Sequence, residues 1–194
     1  MDSSVSWEDL GEAGEQKVIA AIPTGFDYFR NIYVPCCHGY VQEEIDLVVT
    51  GSTGIWSIEV KNWRGVAYLG DYPEEIVFVR NTSRGERTSF RDNPYEQARR
   101  HAEDLHHYLS KTLKSWFPSI HTLVVFATRD RNGVNGANLD NICRYNPSTI
   151  YLDELQGLLS KPSNIVRNWD KWHSVADVLG KLPTRWDTHF STKA

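Results

Sequence analysis

The chain has 194 residues, 40% hydrophobic and 24% charged, with a formal net charge of −4. That describes an ordinary soluble globular protein of about one domain, with no repeats or low-complexity segments and no global basic signature for nucleic acid. The apolar runs are too short for a spanning helix, and the acidic start MDSSVSWEDL lacks the apolar core of a signal peptide. Three cysteines, two of them the adjacent Cys36 and Cys37, make no disulfide framework, so a reducing cytoplasm is the expected location. Cys36-Cys37-His38 has no second ligand pair at zinc spacing.

The first helix is predicted over 7–22, with Ser6 as N-cap and Leu10, Gly14, Val18 and Ala21 as the apolar stripe that Pro23 ends. At about 100° per residue, Glu15 falls on the flank of that stripe and Glu12 points away. Glu15 is therefore the acid placed to reach a sheet. A first strand is predicted over 26–36. A tight hairpin follows over 43–63, EEIDLVVTGSTGIWSIEVKNW, turning at Gly51-Ser52-Thr53-Gly54.

Strand period puts Ser57, Glu59 and Lys61 on one face, with Trp56, Ile58 and Val60 on the other. If the four turn residues close the hairpin, Thr50 faces Ile55. The same register sets Asp46 opposite Glu59 and Glu44 opposite Lys61. Opposed Cβ atoms lie about 5 Å apart. Two carboxylates there repel unless one is protonated or a cation lies between them. A hard divalent ion such as Mg²⁺ resolves the conflict; a solvated polar face is the bland alternative.

Residues 66–69 and 76–80 predict two strands continuing an antiparallel meander, and the polar stretch 82–92 reads as a mobile loop. Six arginines from Arg80 to Arg100 outnumber Glu86, Asp92 and Glu96 by three, a local excess suited to a phosphate backbone or else a solvated loop. The clearest helix then begins, with Asn93 as cap, Pro94 at the first position and Glu96 at the third. Its stripe is Tyr95, Ala98, Ala102, Leu105, Leu109 and Leu113, with Gln97, Arg100 and His101 to one side. His101, His106 and His107 invite a metal reading, and an exposed helix flank explains them more cheaply.

Beyond it, 121–127 is a buried strand, 129–141 a Gly/Asn-rich loop, and 149–152 a short strand. Asp153 is expected to cap a helix over 154–159. Ser163 is expected to cap a last helix over 164–180 that turns Ile165, Trp169, Trp172, Ala176 and Leu179 inward. The tail from Pro183 reads as irregular. The order implies an α/β (α+β) fold: a mixed central β-sheet with an antiparallel hairpin core, flanked by helices.

Taken together, GEAGE on the first helix, EEID on one strand, IEVKNWRG on the next and NPYEQARRHAEDL on a helix resemble the nuclease-related domain (NERD) family of the PD-(D/E)XK nuclease superfamily. The likeness spans about 10–159. It implies a restriction-endonuclease-like fold, with a nuclease domain over 1–160 and a C-terminal helical extension over 161–194. Asp46, Glu59 and Lys61 match the D…(D/E)xK elements, Glu15 the helical acid and Gln97 the later glutamine; the proline before the aspartate is replaced by Ile45.

The implied activity is metal-dependent endonuclease cleavage of nucleic acid, DNA more than RNA, with no membrane partner. Asp46, Glu59 and the Val60 carbonyl would hold Mg²⁺ or Mn²⁺. Glu15, Lys61 and Gln97 would assist catalysis, with Glu44 tuning Lys61. Arg64, Arg84, Arg87, Arg91 and Arg100 are candidates for phosphate contact. A non-catalytic nucleic-acid-binding module and a protein-interaction domain are the alternatives.

Overall fold

A computed structural model describes residues 7–36, 42–72, 75–114, 119–142, 148–161 and 172–185. The hairpin between β2 (Gln42–Gly51) and β3 (Gly54–Lys61) pairs antiparallel from Gly51↔Gly54 through Thr50↔Ile55 to Leu47↔Ile58. The predicted register therefore holds along this ladder, which ends at Leu47↔Ile58, one step short of Asp46 and Glu59. On the other side of β2, β1 (Asp27–Pro35) pairs antiparallel.

The chain is α+β, with mixed sheets of antiparallel and parallel strands flanked by helices. The first sheet has the order β1-β2-β3-β7-β9, where β7 is His121–Phe126 and β9 is Thr149–Tyr151, paired parallel. The second has the order β6-β5-β4-β8, from β4 (Gly65–Leu69), β5 (Glu75–Thr82), β6 (Gly85–Asp92) and β8 (Ala137–Asn138). The helices are α1 (Trp7–Ala20), α2 (Pro94–Leu113), α3 (Leu152–Leu159) and α4 (Trp172–Leu179).

Four expectations need correction. The meander does not continue in one sheet. β4 instead pairs with β5 and, in parallel, with β8. Gly65 begins it at φ +130, where an added Cβ would come within 3.0 Å of the Val79 carbonyl oxygen, so the reversal needs glycine.

The stretch read as a mobile loop contains β6, which pairs with β5 from Thr82↔Gly85 to Glu75↔Asp92. It is an edge strand with almost every residue exposed. Backbone pairing holds it, and no apolar alternation marks it in the sequence.

The tail is not wholly irregular, because Thr184 bridges Ile32 and the Tyr33 N–H donates to the Pro183 carbonyl at 2.9 Å. α3 starts at Leu152, with Glu154 Oε2 accepting the Tyr151 N–H at 2.9 Å, so Asp153 lies inside the helix. Cys37, His38, Ser163, Ile165 and Trp169 lie outside the described residues.

The chain divides into two compact units, one from 1–22, 60–97 and 124–158, the other from 23–59, 98–123 and 159–194. In the second, Ile32 and Val34 of β1, Ile45 and Val48 of β2, Leu105 and Leu109 of α2, and Val175 and Leu179 of α4 form one core. Strand and helix periods thus converge on a single apolar interior.

His121 stacks on Trp56 here at 4.3 Å, and burial lowers its pKa from 6.5. As pH falls through 6.5, the unfolded chain takes up this proton before the folded one does, so stability falls toward acid. His121→Phe keeps the stack and removes the ionisation. Thermal melts from pH 7.5 to 5.5 are expected to show a smaller acid-side loss of Tm in the variant than in the wild type.

In the first unit, Trp63 meets Phe78 and Phe126 edge-on at 5.2 and 5.9 Å. Gly14 of α1 faces Asn62, Ala127 and Val60, and an added Cβ would lie 3.1 Å from Asn62 Cβ. Its place on the predicted stripe is therefore a close approach of helix to strand. Gly14→Val is expected to cost about 1–3 kcal/mol of unfolding free energy by overpacking, measured by urea denaturation.

Candidate active site

Glu59 sits near the end of β3 at 2% exposure, a carboxylate drawn into the second unit's interior. In the same unit, Asp46 on β2 is half-buried. Beside Asp46, the β1 ladder skips Asn31 between Arg30↔Leu47 and Ile32↔Ile45. Asn31 is 1% exposed and takes φ +50, a left-handed conformation that asparagine tolerates better than most residues. Its Nδ2 donates to Glu44 Oε1 at 3.2 Å. Backbone strain of this kind collects at functional sites, and here it neighbours the predicted aspartate.

Among the described residues, Glu44 accepts from the Tyr33 hydroxyl at 2.8 Å and pairs with the tail residue Arg185 at 3.0 Å.

Two residues beyond Glu59 on β3 and half-buried, Lys61 donates from Nζ to Gln97 Oε1 at 3.2 Å. Gln97 lies in the first turn of α2, whose start is fixed by Asn93 Oδ1 accepting the Tyr95 N–H at 3.1 Å. These two predicted site residues, both in the first unit, are brought together. The Lys61 carbonyl accepts the Ala127 N–H at 2.9 Å. Glu15, in that unit, is 6% exposed beside the closely packed Gly14. Val60 is half-buried.

Trp63 was not singled out by the sequence. Lys61 Nζ lies 5.4 Å from its ring centroid and Arg91 Cζ 5.5 Å. The β5–β6 register puts Arg80 directly across from Arg87, and Arg91 shares their face. Among the described residues neither Arg80 nor Arg87 pairs with a carboxylate. Like charges so opposed are destabilising unless an anion lies near. Arg64, Arg84, Arg87, Arg91 and Arg100 are all exposed, whereas Arg99 pairs with Glu103.

His101 overturns the exposed-flank reading. It is 4% exposed, with Nε2 3.2 Å from Glu43 Oε2 and Nδ1 3.4 Å from Glu59 Oε2. A signal for this was present, since His101 stands three residues after Ala98 and four before Leu105, on the apolar stripe. Cys36, Glu43 and Asp104 also gather, with ligand atoms within 4.8 Å of one another. The vicinal-cysteine motif thus contributes Cys36 to a mixed cluster at the end of β1.

The nuclease-related domain family model matches residues 10–127, more than half of the chain. The chain belongs to the nuclease-related domain family. No curated protein and no solved structure was found to match it. Membership gives a nuclease-related function, and among the described residues no helix is long and apolar enough to cross a membrane.

Proposed function

We propose that this nuclease-related domain is a metal-dependent endonuclease that hydrolyses phosphodiester bonds, with DNA as substrate before RNA, in the cytoplasm. Lys61 carries the reading: a half-buried ammonium held by Gln97 Oε1 at 3.2 Å, two residues along one strand from the buried Glu59. Asp46 and Glu59, with the Val60 carbonyl, would hold Mg²⁺ or Mn²⁺. Their oxygen donors suit a hard divalent ion.

Such an ion, when bound, acidifies a water and offsets charge on the phosphate. Lys61 orients the attacking water and stabilises the negative charge that develops on the phosphoryl oxygens. Gln97 limits the freedom of the lysine amine. Glu15 accepts hydrogen bonds from outer waters. Arg64, Arg84, Arg87, Arg91 and Arg100 contact flanking phosphates, an electrostatic contribution that weakens with salt. Residues 1–160 act as the nuclease domain and 161–194 as an extension packed on it, supported by the Arg185–Glu44 pair.

Incubating the chain with supercoiled plasmid, single-stranded DNA and RNA tests the proposal. Cleavage is expected with Mg²⁺ or Mn²⁺ and none with EDTA. Intact substrate under every metal, with salt-sensitive binding, would identify a binding module instead.

A further inference from the structure

We propose that His101 Nδ1 is itself a metal ligand, and that this imidazole makes the site select Mn²⁺ or a later transition ion over Mg²⁺. The inference rests on the reading of Glu59 as a metal-holding carboxylate, and Glu43, Glu59 and His101 all belong to one unit.

The ring is 4% exposed, and its two nitrogens are in unlike situations. Nε2 is 3.2 Å from Glu43 Oε2, within hydrogen-bond distance of a carboxylate. Nδ1 is buried, makes no hydrogen bond, and lies 3.4 Å from Glu59 Oε2. With the Nε2 proton directed at Glu43, the neutral ring keeps its lone pair on Nδ1, facing another lone-pair donor. Buried polar atoms are rarely left in that state.

The spacing has a simple reading. Two donors bound to one ion at about 2.0–2.2 Å stand about 3.0–3.5 Å apart at octahedral to tetrahedral angles. Glu43 then does what an outer carboxylate does for a metal-binding histidine: it fixes the tautomer, aims the ring and raises its basicity. The competing arrangement, an imidazolium bridging two carboxylates, would bring Nδ1–H to Glu59 in ordinary hydrogen-bond geometry. No such bond is formed. Imidazole suits transition ions, whereas Mg²⁺ favours oxygen ligands and retained waters.

The full chain, purified without a histidine tag and loaded with Mn²⁺, can be read by electron spin echo envelope modulation. Nitrogen coupling from a bound imidazole is expected in the wild type and is expected to vanish in His101→Gln. Mn²⁺ affinity should fall about 10- to 100-fold, and Glu43→Gln should weaken Mn²⁺ about tenfold while keeping the coupling. Mg²⁺ affinity in His101→Gln should change far less.

No nitrogen coupling in the wild type overturns the proposal whether or not the variants fold. So does coupling that survives His101→Gln, or an equal loss for both metals. Loss of Mn²⁺ binding in Glu59→Gln with none in His101→Gln sinks this inference alone. Undiminished binding in Glu59→Gln sinks the reading of Glu59 beneath it.

Discussion

Lys61→Met is expected to lower metal-dependent plasmid cleavage by about 10²–10³-fold, the usual loss when a donor aimed at developing charge is removed. Methionine keeps the length and the apolar stem of the side chain and loses only the ammonium, so the melting temperature should hardly move. Metal affinity should also persist, because the lysine holds no ion. Gln97→Leu removes one hydrogen bond to a charged group, worth about 1.5 kcal/mol, and should cost about tenfold by the same assay. The double variant should be little worse than Lys61→Met alone, since Gln97 acts through the lysine. Unchanged cleavage in Lys61→Met would remove the lysine from the mechanism.

Leu105→Ala is expected to produce the largest loss of stability, about 2–5 kcal/mol in urea unfolding. Leu105 is 0% exposed on the apolar face of α2, within the core formed with β1, β2 and α4. Truncation removes buried methyl groups and leaves a cavity that the packed strands cannot close. His101 lies one turn earlier on the same helix, so Mn²⁺ affinity should fall along with stability. A cost below about 1 kcal/mol would mean the interior repacks, contrary to the interlocked core described above.

What the sequence made legible, and what it hid, follow from the same physics. The β2–β3 hairpin could be aligned from residues alone because a one-residue slip would carry Leu47 and Ile58, both 0% exposed, out of the interior. α2 was legible from its cap and its periodicity. β6 was not, since an edge strand of polar residues pairs through its backbone and leaves no apolar pattern. The Arg185–Glu44 pair joins residues 141 positions apart, and no local pattern announces such a contact. His101 was misplaced because its polarity outweighed its position; read by spacing, it belongs to the buried stripe.

The metal assignment bears most of the functional account, and a crystal of the full chain soaked in Mn²⁺ tests it directly by anomalous scattering. An anomalous peak is expected about 2.0–2.3 Å from carboxylate oxygens of Asp46 and Glu59, with His101 Nδ1 at similar range. A peak only at the Cys36–Glu43–Asp104 cluster, with Asp46 and Glu59 free of metal, would contradict the account.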